Sequence, residues 1–289
     1  MDADVFPDQN VIDFAAENLI SLKIDAEKDA GPELRDRFRL PGYPTIVFTN
    51  AAGNEVDRIV GYRPVDIFLA ELTRIRANRG TIADLTARFE ASPATDSLAV
   101  RIAEKYEERQ DRLAALSYWL KALNIPDGDQ EMARYRVASN QTLLTESDRS
   151  LKEYLASSAD ETYFADAYNV LQRFYRSQKD TSAEVDIYVR LMEFLEHESA
   201  ATSADLNGYA WRMSQLGINL EDALIKIRKA VALAADKLPE DRAGLMDTEA
   251  EVLWKLGRSA EALAIIEQCI KLQPEDQYFK DQKAKFQKQ

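Results

Sequence analysis

The chain has 289 residues, 46% of them apolar, with 50 acidic against 37 basic side chains and a formal net charge of −13. That acidic excess argues against nucleic acid and anionic membranes as partners, because both are held through Lys and Arg. A single cysteine, Cys269, excludes an internal disulfide and any two-cysteine redox centre within this sequence, and a single histidine, His197, excludes a multi-histidine metal site and disfavours a Ser-His-Asp centre.

The opening Met-Asp-Ala-Asp lacks the basic and apolar regions of a secretory signal, and no apolar run approaches the ~18 residues of a membrane span. Residues 8–18 are predicted as a helix, with Val11, Ile12, Phe14 and Ala15 on one side. Leu19 to Ile24 reads as a strand. Gly31-Pro32 opens a short helix over 33–38, since Pro is tolerated in a first turn, and Pro41-Gly42-Tyr43-Pro44 ends it. Thr45 to Thr49 is β-branched and aromatic, hence a second strand. Asn50 to Asn54 is a hairpin turn and Glu55 to Gly61 the returning strand. Pro64 starts a helix to about residue 78, with Val65, Phe68, Leu69, Leu72 and Ile75 on its apolar face.

Near Arg79-Gly80 the texture changes. Residues 1–80 carry 14 acids and 10 bases, residues 81–289 carry 36 and 27, so the boundary is one of pattern and not of charge. Twelve helices follow, predicted over 81–91, 95–108, 111–124, 129–142, 146–157, 161–177, 181–197, 203–216, 220–235, 241–256, 259–272 and 275–286, enough for six antiparallel pairs. Ala103 and Ala115 are 12 apart, as are Ala250 and Ala262, while Ala210 and Ala223 are 13 apart, which fits one inserted residue in the turn 216–219. Small residues recurring at this spacing mark stacked helical hairpins.

Leu245 to Pro274 resembles a tetratricopeptide repeat through Ala250, Leu253, Leu256-Gly257-Arg258, Glu261-Ala262-Leu263, Ile266, Ile270, Leu272 and Pro274. Residues 206–233 and 98–126 match it less closely, and 129–197 only by helix length. The first part is similar to the C-terminal two-thirds of a thioredoxin-like domain, carried by Asp4 to Val11, Leu22 to Glu27, Gly42 to Phe48 and Gly53 to Tyr62. The resemblance implies a cis bond before Pro44 and a peptide-contact loop at Tyr43, Pro44 and Thr45. It also implies disulfide chemistry in relatives, whose Trp-Cys-X-X-Cys strand would precede Asp4 and lie between 19–25 and 45–50. Without that strand, the two flanking strands either pair directly or Met1 is internal to a longer product; the second is expected.

The expected fold class is therefore an α/β partial thioredoxin-like domain over 1–79 followed by an all-α, tetratricopeptide-like solenoid over 80–289. The remaining candidates have plain structural readings. Cys269 is expected as a buried core thiol and His197 as a solvated helix end, and Asp25, Glu27 and Asp29 as a turn. Asp127-Gly128-Asp129 fits half of a calcium loop but lacks Gly at position six and an acid at position twelve, so Asp129 is read as a helix cap. The lysines at 280–288 read as a solubilising end. Tyr106, Tyr118, Trp119, Tyr135, Tyr168, Phe174, Tyr175, Tyr209 and Trp211, at helical spacing, are expected mainly in the core. The function expected is non-catalytic protein binding, with no metal or cofactor and a protein or peptide partner that basic segments would suit. The alternative is a thiol–disulfide oxidoreductase with its cysteines in a preceding segment. The cytoplasm suits this sequence, and the periplasm suits a longer, exported one.

Overall fold

The computed structural model describes residues 1–92, 96–126 and 128–288, apart from the side chain at position 96. Two compact units divide it, Met1–Tyr163 and Phe164–Gln289, so the change of texture at Arg79-Gly80 lies inside the first.

In the first unit, Asp8 accepts from the N–H of Asn10 and starts α1 (Gln9–Asn18). Helix α2 (Gly31–Phe38) begins two residues earlier than predicted, with Pro32 in its first turn. Strands β1 (Thr45–Thr49) and β2 (Glu55–Val60) pair antiparallel, with Ile46 opposite Ile59 and Phe48 opposite Asp57. Their turn is fixed by Asn50 Oδ1, which accepts from the N–H of Ala52 and Asn54, and by Gly53 at φ 75°. Helix α3 (Val65–Arg76) buries Phe68, Leu72 and Ile75 against Val5, Val11 and Ile59.

The strand predicted over Leu19 to Ile24 does not form. Among the described residues the sheet has two strands only, and nothing offers this segment a ladder. Ile20 and Leu22 stand 95% and 81% exposed. For the same reason β1 is only half-buried along Thr45 to Phe48.

Beyond α3 come α4 (Ile82–Ala91), α5 (Asp96–Glu108), α6 (Arg112–Leu123), α7 (Gln130–Thr145) and α8 (Arg149–Ser157). Residue 95, the predicted start of α5, lies outside the described residues. Leu85, Phe89, Ile102, Ala103, Ala115 and Trp119 form the core of these helices. Strand β2 is tied to α5 by charge: Lys105 Nζ lies 2.6 Å from Asp57 Oδ1, Arg58 donates to the Glu108 carbonyl at 2.8 Å, and Arg109 donates to the Val56 carbonyl at 2.9 Å.

The second unit holds α9 (Phe164–Ser177), α10 (Thr181–His197), α11 (Ser203–Leu216), α12 (Leu220–Leu233), α13 (Pro239–Lys255), α14 (Ser259–Leu272) and α15 (Gln277–Phe286). Ala210, Ala223, Ala250 and Ala262 are fully buried in its core, where the absent side chain lets helix axes approach. The described helices form five hairpins (α5/α6, α7/α8, α9/α10, α11/α12, α13/α14) with α4 before and α15 after, so the twelve predicted helices are present but the six-pair grouping is not. Each hairpin turns on a left-handed residue, Gln110, Glu146, Lys179, Gly217 and Gly257. Between Gly217 and the cap Asn219 there is one residue more than between Gly257 and the cap Arg258, which is the insertion inferred from the alanine spacing. Thr202 and Asp205 close a reciprocal capping box on α11. These are antiparallel helical hairpins, as the alanine spacing predicts.

Candidate functional site

The left-handed turn residues set a common register. Ten positions before them in the second unit lie Asn169, Asn207 and Asp247, and six before them Arg173, Trp211 and Glu251. Positions four apart share a helix face, so α9, α11 and α13 each present one such pair in the same register. Among the described residues Asn207 Oδ1 and Asp247 Oδ1 have no hydrogen-bond partner, whereas Asp247 Oδ2 accepts from the Tyr278 hydroxyl at 2.9 Å. Burial pushes the Asp247 carboxyl up to about 6; the Tyr278 hydrogen bond opposes this and the Glu251 charge adds to it. Glu251 is itself paired with Lys285.

In the first unit, the Tyr43–Pro44 peptide bond is cis. Tyr43 is 60% exposed, the Pro44 carbonyl accepts from the N–H of Gly61 at 2.8 Å, and the Thr45 hydroxyl donates to the Gly42 carbonyl at 2.7 Å. The three residues expected as a peptide contact thus lie where the loop enters β1.

A cavity of about 200 Å³ beside β2 escaped the sequence reading. Arg58, Arg63, Arg74, Lys105, Glu71 and Glu108 line it. Arg58 pairs with Glu55, Arg74 with Asp57 and Glu71, and Lys105 with Asp57. Burial pushes the Glu108 carboxyl up, while Lys105 draws it back. No signal in the sequence joins these groups, since the partners of Asp57 lie 17 and 48 residues away.

Cys269 is fully buried on α14, with Sγ 3.5 Å from the Ala243 carbonyl. Burial, helped by the Asp247 charge, pushes its thiol up to about 12, which suppresses the nucleophilic thiolate at neutral pH. His197 is in the last turn of α10 and well exposed. Asp25 Oδ1 accepts from the Glu27 N–H and Oδ2 pairs with Lys28, as a turn. Among the described residues no three metal-ligating side chains converge. The half calcium loop includes Asp127, which lies outside the described residues; Asp129 caps α7 through the Met132 N–H. The lysine-rich end is docked rather than merely solvated, with Lys283 on Glu267 and Lys285 on Glu251. Of the aromatic residues, Trp119, Tyr135, Phe174, Tyr175 and Tyr209 are buried, and Trp211 is exposed. No described helix is long and apolar enough to cross a membrane.

Residues 1–76 match the family model of a thioredoxin-like domain. Comparison with curated proteins gave no match. Among solved structures, the chain is similar to YrrB, described as a TPR protein with an unusual peptide-binding site, at 14% identity and TM-score 0.47, over 69% of this chain and 97% of that one. It is also similar to a putative kinesin light chain of Podosopora anserina with nearly identical TPR-like repeats (16% identity, TM-score 0.44, 63% and 96% of the two chains). A third is BtubC (BKLC) from P. vanneervenii (14%, 0.47, 67% and 87%).

Proposed function

We propose that this chain is a non-catalytic protein-binding scaffold that holds an extended, basic peptide segment on the face shared by α9, α11 and α13. The observation that carries this reading is the register. It repeats a polar side chain, Asn169, Asn207 and Asp247, on successive first helices of the hairpins. An amide offers both donor and acceptor, which matches the paired N–H and C=O of an extended backbone. Trp211, one turn from Asn207 and 37% exposed, supplies apolar contact area beside it. The net charge of −13 favours a basic partner and gives binding that weakens with salt. Tyr43, Pro44 and Thr45 are a second candidate contact for a peptide, supported by the exposure of Tyr43.

The test is a panel of labelled twelve-residue peptides, basic and acidic, titrated with the full chain and read by fluorescence anisotropy. Basic members should bind in the micromolar range, and Asn207→Ala and Trp211→Ala should each weaken binding by about tenfold. A panel without binders, or binders indifferent to both substitutions, refutes the reading.

A further inference from the structure

The outer edge of β2 is only partly used. The Gly61 N–H on the Pro44 carbonyl, with Ile46 opposite Ile59, fixes which backbone groups face β1. Antiparallel pairing alternates, so residues 57, 59 and 61 bond to β1 while the backbone groups of 56, 58 and 60 point the other way. Arg109 of α5 takes the Val56 carbonyl at 2.9 Å, which places α5 along this edge. Further along it, the Arg58 carbonyl and both backbone groups of Val60 have no hydrogen bond among the described residues.

The cavity of about 200 Å³ opens on that stretch, since Arg58, Ile59 and Val60 all line it. Most of its charges are answered within the chain. Arg58 is paired with Glu55, Arg74 with Asp57 and Glu71, and Lys105 with Asp57. Two lining groups differ. Among the described residues Arg63 donates to the Tyr62 carbonyl alone and keeps the rest of its fork, and Glu108 has no cation partner. Lys105 spends one ammonium hydrogen on Asp57 and keeps the others. A free cation, a free carboxylate and a strand edge thus meet in one recess walled by α3 and α5.

These features complement a zwitterion that contains a peptide group. A carboxylate accepts from the Arg63 fork and the Lys105 ammonium, an ammonium donates to Glu108, and a peptide group pairs with Val60 as an added strand would. Size limits the occupant to about two residues, because two extended residues span at most about 7 Å and the cavity has room for about seven waters.

We propose that this recess is a binding site for a free dipeptide, held by its carboxylate on Arg63 and Lys105, by its ammonium on Glu108 and by its peptide group on the edge of β2 at Val60. The site is built on different elements from α9, α11 and α13 and does not depend on the helical-face reading.

The probe is L-alanyl-L-alanine, titrated calorimetrically into the full chain at low salt beside its N-acetyl and C-terminal amide derivatives. One site per chain is expected, with a dissociation constant of about 1 mM or below, and each blocked derivative should bind about tenfold more weakly. Neither Arg63 nor Glu108 has a charged side-chain partner among the described residues, so Arg63→Gln and Glu108→Gln should leave the urea midpoint in place. Arg63→Gln should bind the dipeptide and its amide alike, and Glu108→Gln should bind the dipeptide and its acetyl derivative alike. A substitution that merely loosened the fold would weaken all three ligands together. Exchange of the Val60 amide hydrogen should slow when the dipeptide is bound. Absence of saturable binding up to about 20 mM, substitutions that act equally on all three ligands, or an unchanged Val60 amide overturns the proposal. So does an acetyl derivative that binds as tightly as the free dipeptide, because the occupant would then be the C-terminus of a longer chain.

Discussion

Asp57 on β2 holds Lys105 on α5, 2.6 Å from one carboxylate oxygen, and Arg74 on α3, 2.9 Å from the other. The carboxylate is 1% exposed, so its desolvation is offset only by these two cations and the bond it accepts from the Arg58 N–H. Asp57→Asn keeps the shape and removes the charge, leaving the largely buried Lys105 without its counter-ion and Arg74 with Glu71 alone. Unfolding in urea at pH 7 should show a loss of about 3 kcal/mol, since breaking one side of a buried pair costs far more than the intact pair contributes. A loss below about 0.5 kcal/mol would mean that water already screens the site as it does a surface pair.

Gln172 occupies a position its counterparts fill with small residues. Seven places before the left-handed turn residue the five hairpins carry Ala103, Ser139, Gln172, Ala210 and Ala250. Gln172 is 6% exposed and its Nε2 has no acceptor among the described residues. An unsatisfied buried donor costs about 1–3 kcal/mol, and an apolar side chain of similar volume removes that cost without opening a cavity. Gln172→Leu should therefore stabilise the second unit by about 1 kcal/mol, seen as a higher urea midpoint with an unchanged slope. Destabilisation would show that the amide is bonded in solution.

What the sequence made legible is what repeats or is local. The alanine spacing and Gly257 announce the hairpins because close helix crossings and left-handed turns admit few residue types. Asn50 and Gly53 announce the β-turn for the same reason. The segment 19–24 misled because alternation and β-branching describe a strand's side chains and not the presence of its neighbour. Asp57 and Arg58 lie on a strand with polar positions, and α3 and α5, contributed from 17 and some 50 residues later, supply the partners that make them interior. The register of Asn169, Asn207 and Asp247 becomes visible only once the left-handed residues are placed, because Lys179 takes the place that glycine has at 217 and 257.

Cys269 should be silent to thiol reagents in the folded chain. Its Sγ lies inside the core of the second unit and its thiol is pushed up to about 12 by burial, with the Asp247 charge adding to the shift. Reaction with an aromatic disulfide reagent at pH 8 should run at least about a hundredfold slower than for a free thiol, and reach the free rate in denaturant, because both access and thiolate fraction are suppressed. A native rate close to the free one would place the thiol at the surface and sink the packing described for α14.

Asp247 makes stability depend on pH in the direction opposite to that of a salt-bridged acid. Its carboxyl is held up to about 6, from an ordinary value of 3.8, with burial the first cause. Between those values the folded chain binds the proton more tightly than the unfolded chain does. Stability from this group is therefore full below about pH 4, falls as pH rises towards 6, and stays lost above it. The groups facing it are Tyr278, which donates to it, and Glu251 and Lys285, which shift it in opposite directions. At one pKa unit per 1.36 kcal/mol the full span is about 3 kcal/mol, and relaxation around the carboxyl leaves about 1–2 kcal/mol to be measured. Asp247→Asn retains the acceptor for Tyr278 and removes the titration. Its stability should exceed that of the wild type at pH 7.5 by this amount, and the gap should close by pH 4. A gap independent of pH would show that the carboxyl is ionised with ease in the folded chain, and that water reaches the face of α13 where Asn169 and Asn207 have their counterpart.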